Sequence, residues 1–116
     1  MANRHRGEIE AEIDGEPCRL CLTLGALAEL ETAFGAGNLV ALARRFESGQ
    51  LSARDIQLII ASGLRGGGHA VTDADVAAMT FPGGLSGAIR IAVDLVSATF
   101  GTGSDGRANP PVPQDP

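Results

Sequence analysis

The sequence is 116 residues long, room for one domain and not two. Hydrophobic residues make up 44% and charged residues 20%, too apolar for a chain disordered throughout, and no apolar stretch approaches the roughly 18 residues a membrane span needs. A net charge of −5 argues against nonspecific binding to DNA or to an anionic membrane surface.

The first predicted element is a β-hairpin. Ile9, Ala11 and Ile13 alternate with Glu8, Glu10 and Glu12, the period-2 pattern of a strand with one wet face. Asp14-Gly15 then offers the two positive φ angles of a type I′ turn. With those residues as the loop, Ile13 faces Glu16, Ala11 faces Cys18, Ile9 faces Leu20 and Glu10 faces Arg19. Apolar then meets apolar on one face, and an ion pair forms on the other. The same register sets Pro17 at a non-hydrogen-bonded position, where its missing N–H is not needed.

From Thr23 the period becomes helical. Thr23 reads as an N-cap, Leu24, Leu27, Leu30 and Phe34 as a buried stripe, and Gly35 as the stop. A second helix follows Asn38, with Leu39, Leu42, Ala43 and Phe46 inward and Arg44 and Arg45 outward, and ends at Gly49. Ser52 and Asp55 approach a capping box for a third helix, which carries Ile56, Ile59, Ile60 and Leu64 on one face and ends at Gly66-Gly67-Gly68. Thr72 and Asp75 repeat that arrangement for a short fourth helix through Val76 and Met79. After Pro82-Gly83-Gly84, the last helix is predicted from about Ser86 to Phe100.

The predicted fold class is α+β: an N-terminal hairpin followed by a small bundle of about five helices. A flexible N-terminus is expected over 1–6, a single domain over 7–100, and a disordered tail over 101–116, where Val112 is the only sizeable apolar side chain among Gly, Ser, Asp, Asn and Pro.

The last helix is apolar on more than one side. Ile89, Ala92, Val93, Val96 and Phe100 make one face, and Ile91, Leu95 and Ala98 make a second row, with Arg90, Asp94 and Ser97 as polar breaks. Such a helix is either deeply buried or covered by another chain. Charge is uneven as well. Residues 8–31 hold seven carboxylates against Arg19, a sum of −6, and residues 44–65 hold four Arg against Glu47 and Asp55, a sum of +2. A two-signed surface either orients a protein partner or neutralises itself within the fold.

Candidate reactive groups are few. Every basic residue is Arg, which excludes a Walker-type phosphate loop, a Schiff base and a lysine general base. Four Phe with no Trp or Tyr leave no stacking platform for single-stranded nucleic acid. Cys18 and Cys21 form a Cys-x-x-Cys, but inside a strand, where residues three apart point to opposite faces. They read as structural thiols, Cys18 toward the core, and not as a redox or zinc pair. Gly66-Gly67-Gly68-His69 follows a helix and not a strand, so it reads as helix termination and a mobile linker, not a phosphate cradle. Asp73 and Asp75 fall in the first turn of a helix, where carboxylates cap backbone N–H groups. With His5 and His69 the only imidazoles, no catalytic triad is arguable. No catalytic, cofactor or metal residue is assigned, and no small-molecule substrate is expected. Met1 to Arg6 is followed at once by the acidic alternating segment and not by an apolar leader, so the cytoplasm is the expected location.

The run over 7–31, G-E-I-E-A-E-I-D-G-E-P-C-R-L-C-L-T-L-G-A-L-A-E-L-E, resembles the start of a small phage-tail family. These are the gene transfer agent family proteins, classed with phage tail assembly chaperones and sometimes labelled phage tail tube protein. L-S-A-R-D at 51–55, G-L-R-G-G-G-H at 63–69 and T-D-A-D-V at 72–76 agree in order and spacing, so the resemblance spans about residues 7–100. It brings no catalytic motif. The resemblance implies a tail assembly chaperone whose partners are the tape-measure protein and the tail tube protein of a phage-like particle. It would hold apolar helical stretches of the tape measure before tube subunits polymerise. The row Ile91, Leu95 and Ala98 is then the candidate contact surface, by helix-in-groove logic. Ile91→Glu with Leu95→Glu is expected to abolish that binding and leave the fold intact. The alternative is a structural tube or tail-tip subunit retained in the particle. There the hairpin extends a neighbour's sheet, and the acidic 8–31 segment meets the Arg-rich 44–65 segment of the next copy in a homo-oligomer.

Overall fold

A computed structural model describes residues 6–100. The tail predicted over 101–116, and the N-terminal segment apart from Arg6, lie outside the described residues. Strands β1 (Glu8–Ile13) and β2 (Glu16–Cys21) precede helices α1 (Leu24–Phe34), α2 (Leu39–Glu47), α3 (Ala53–Gly66), α4 (Asp73–Ala77) and α5 (Leu85–Phe100). This is the α+β order expected: one antiparallel hairpin, then five helices.

The hairpin takes the expected register, pairing Ile13 with Glu16, Ala11 with Cys18, Ile9 with Leu20 and Glu10 with Arg19. Asp14 and Gly15 hold φ values of 55° and 79°, as a type I′ turn requires. Asp14 is also an anchor. Its N–H donates to Thr80 O at 2.9 Å, and its Oδ1 accepts from Thr80 N at 2.7 Å and from Thr80 Oγ1 at 3.1 Å. The turn is thereby tied to the segment between α4 and α5.

Local side chains start each of the next four helices. Thr23 accepts from Ala26 N at 3.1 Å and Asn38 from Ala41 N at 2.8 Å. Ser52 with Asp55, and Thr72 with Asp75, close full capping boxes. Gly35, at φ 65°, ends α1.

Helix α3 is the centre of the domain. Ile56, Ile59, Ile60, Ala61, Ser62, Gly63 and Leu64 are all buried, and α3 packs against β2, α1, α4 and α5. Around it gather Ile9, Ile13 and Leu20 of the hairpin, Leu27 and Leu30 of α1, Leu42 and Phe46 of α2, and Leu95 of α5. Phe46 stacks edge-on against Phe34 at 5.6 Å and lies tilted to Phe100 at 6.0 Å.

Three expectations need correcting. Leu24 is 76% exposed and Leu39 is also exposed. Each is the first residue of its helix, where a side chain directed toward the N-terminus reaches past the helix end and finds nothing to pack on. Helix α4 stops at Ala77 and does not reach Met79. Finally, the glycine run ends α3 as expected, but it is packed and not a linker. A Cβ on Gly66 would lie 1.9 Å from Cys21 O, and one on Gly67 would lie 2.0 Å from Arg19 O. The absence of side chains is what lets the end of α3 abut β2.

Candidate partner-binding site

The described residues offer little to reaction chemistry. Cys18 and Cys21 are both free. Burial, followed by the carboxylates of Glu16 and Asp14, pushes the Cys18 thiol above its usual range. Burial and Glu8 raise Cys21, partly offset by Arg19 and Arg6. A nucleophilic or metal-binding thiol needs the opposite shift. Asp73 accepts from Arg65 at 3.2 Å, and Asp75 is held in its capping box. The N–H of His69 donates to Leu64 O at 2.9 Å as part of the α3 terminus, and His5 lies outside the described residues. Among the described residues, no group of His, Cys, Asp and Glu is arranged to hold a metal ion, and no helix is long and apolar enough to cross a membrane.

Much of the two-signed charge is satisfied internally. Arg65 bridges Glu29 of α1 at 3.1 Å and Asp73 of α4 at 3.2 Å. Arg45 meets Asp55 at 3.1 Å and also covers the Phe34 ring, 5.3 Å from its centroid. Glu10 and Glu12 of the hairpin instead stand exposed: the ion pair expected between Glu10 and Arg19 does not form, and Arg19 donates to Gly67 O at 3.5 Å.

On α5 the second apolar row, offered as the contact surface, turns inward. Ile91 is 9% exposed and Leu95 is 0% exposed, both within the core, while Ala98 is half-buried against it. The outward row is Leu85, Ile89 and Val93, with Ile89 42% and Val93 51% exposed. Ile91→Glu with Leu95→Glu would therefore bury two carboxylates in the core and would not spare the fold. The sequence carried a signal for Leu95, though not for choosing between Ile89 and Ile91, which lie about equally far to either side of the polar arc. At 100° per residue, Arg90, Asp94 and Ser97 fall in one arc, and the face opposite that arc holds Ala88, Ala92 and Leu95. The polar arc points away from the core more reliably than the apolar rows point toward it.

The outward row borders a groove of about 810 Å³ between α5 and β1. Its walls include Ile9 and Ala11 on the strand, Pro82 at the turn before α5, and Ile89, Val93 and the edge of Ile91 on the helix. Glu10, Glu12, Arg90 and Asp94 rim it. A smaller pocket of about 110 Å³ lies on the other flank of Val93, between α5 and α2, against Phe46 and Phe100. The exposed flank of α5 is thus apolar, concave and bounded by charge, a surface suited to a polypeptide.

No curated protein and no solved structure matches the chain. The sequence model of the family described as phage tail tube protein, GTA-gp10, matches residues 6–102, a span that takes in every element from β1 to α5. The chain belongs to this family of phage tail tube proteins.

Proposed function

We propose that the chain is a non-enzymatic assembly protein of a phage-like tail, a chaperone that holds apolar stretches of the tape-measure protein until tail tube subunits polymerise around it. The work is done in the cytoplasm of the cell that makes the particle. The observation that carries this reading is the exposed row Leu85, Ile89 and Val93 beside the β1–α5 groove. It takes the place of Ile91 and Leu95, which the core encloses. Fully burying one such side chain contributes about 1.5–3 kcal/mol. Three that are already part-covered leave only a modest surplus after the cost of association. Moderate affinity is what an assembly factor needs if polymerising tube subunits are to displace it.

Ile89→Glu with Val93→Glu should eliminate co-purification of the tape-measure protein while leaving the circular dichroism spectrum and melting temperature within error of the parent. Purified particles should lack the chain by mass spectrometry. A second reading, a structural subunit retained in the tail, is favoured by the family's description as a tail tube protein. Many stoichiometric copies in finished particles would establish that reading and remove the first.

A further inference from the structure

The pairing of the hairpin fixes where its unused hydrogen-bonding groups point. In a two-residue hairpin the residues flanking the turn form a hydrogen-bonded pair, and such pairs alternate along the ladder. Ile13–Glu16, Ala11–Cys18 and Ile9–Leu20 are therefore the hydrogen-bonded pairs, and the N–H and C=O groups of Glu10 and Glu12 point outward from β1. On the other edge, the outward carbonyls of Arg19 and Cys21 are the atoms that Gly67 and Gly66 approach. The edge of β2 is thus capped by the end of α3. The edge of β1 is not: among the described residues, the backbones of Glu10 and Glu12 make no hydrogen bond outside the ladder. That edge opens into the β1–α5 groove.

We infer that the edge of β1 is a strand-addition site for an extended segment of another polypeptide in which basic and apolar residues alternate. The inference rests on the reading that the chain holds a tail polypeptide, and it assigns the held segment an extended form in place of a helical one. An added strand lies in the plane of the hairpin, so its side chains alternate between two environments. Those on the inner face meet Ile89 and Val93, and those on the outer face stand beside the exposed carboxylates of Glu10 and Glu12. Apolar side chains fit the first set and Arg or Lys the second. A second copy of β1 is the wrong occupant. Antiparallel self-pairing sets Glu10 and Glu12 of one copy against the same acidic row of the other, and like charges directly opposed are destabilising.

The test uses the full ¹⁵N-labelled chain and a synthetic peptide of about seven alternating Lys and Val residues, enough to span a strand of six residues. At saturation, amide exchange at Glu10 and Glu12 should slow by at least about tenfold. A composition-matched peptide with Lys and Val in separate blocks should give no such protection. E10R/E12R should lose the Lys–Val peptide and acquire a Glu–Val peptide. If that variant does not fold, E10Q/E12Q should weaken Lys–Val binding at least about fivefold. Absence of binding, binding that leaves both amides unprotected, or protection that grows with protein concentration in the absence of peptide would each overturn the inference. Particle composition and tape-measure co-purification read the assembly role by other means, so failure of that role and failure of strand addition are told apart.

Discussion

Gly66 and Gly67 sit where the end of α3 meets the outer edge of β2, within a distance that only a hydrogen fits. Because the obstruction at each is a backbone carbonyl and not a flexible side-chain tip, no rotamer change relieves it. Gly66→Ala or Gly67→Ala should cost about 3 kcal/mol, read from the urea midpoint. Gly25→Ala is the contrasting case. In the first turn of α1 a Cβ would find only Thr23 Oγ1 at 3.9 Å, so the same chemical change should stabilise by about 0.5 kcal/mol. A glycine that merely ends a helix and one that admits a strand look alike in sequence, which is why the packing role of the run was not legible there. The thiols make a pH prediction at this scale. Both are shifted upward in the fold, so the folded state holds its thiol protons more tightly than the unfolded chain does. The resulting stability is complete below the ordinary thiol range and is lost as pH rises through the raised values. Alkylation of Cys18 and Cys21 at neutral pH should accordingly be slower than in the urea-unfolded chain, and the melting temperature should fall on the alkaline side.

Among the elements, the contact of α3 with α5 is the most exacting. Leu95 is fully enclosed, and a Cβ on Gly63 would fall 2.4 Å from its Cδ2. Leu95→Ala should cost about 3 kcal/mol through the cavity it leaves. Gly63→Ala alone should also destabilise, by crowding that same methyl. The two changes are complementary in volume, so the double variant should lose less than the sum of the singles by about 1 kcal/mol in a double-mutant cycle. Strict additivity would place Gly63 and Leu95 in independent environments. This contact also shows what the sequence could not supply. The hairpin register, the caps Thr23, Asn38, Ser52 and Thr72, and the order of elements depend on neighbours within a few residues, so their chemistry is written locally. The rotation of α5 depends on which side α3 and the hairpin occupy. Ile89 and Ile91 are the same residue type, and only Ile91 faces that core. The row Ile91, Leu95 and Ala98 therefore reads in the sequence as open to a partner, where the fold turns Ile91 and Leu95 into the core.

At the scale of the whole molecule, the same ties that position the groove bind its walls into one unit. The core runs from Ile9 in β1 to Leu95 in α5 and is continuous through α3. Asp14 and Thr80 join the hairpin turn to the approach of α5, and Arg65 joins α1 to α4 across the end of α3. The hairpin, α1, α4 and α5 each pack on α3 or are held by one of these polar ties, so none detaches without uncovering core or unpairing a polar group. Unfolding should therefore be a single cooperative transition in which helical dichroism and exchange of the β1–β2 ladder amides report the same midpoint. Among the described residues every enclosed apolar side chain lies between positions 9 and 95, and removing residues 101–116, whose one sizeable apolar side chain is Val112, should leave that midpoint unchanged. Two separated transitions would mean that the hairpin and the helices are stabilised independently. The β1–α5 groove would then not be a fixed surface, because its strand wall could open while its helix wall held. A hairpin that exchanges at the global rate instead presents both walls in register whenever the protein is folded, so a bound segment meets a groove that needs no rearrangement to receive it.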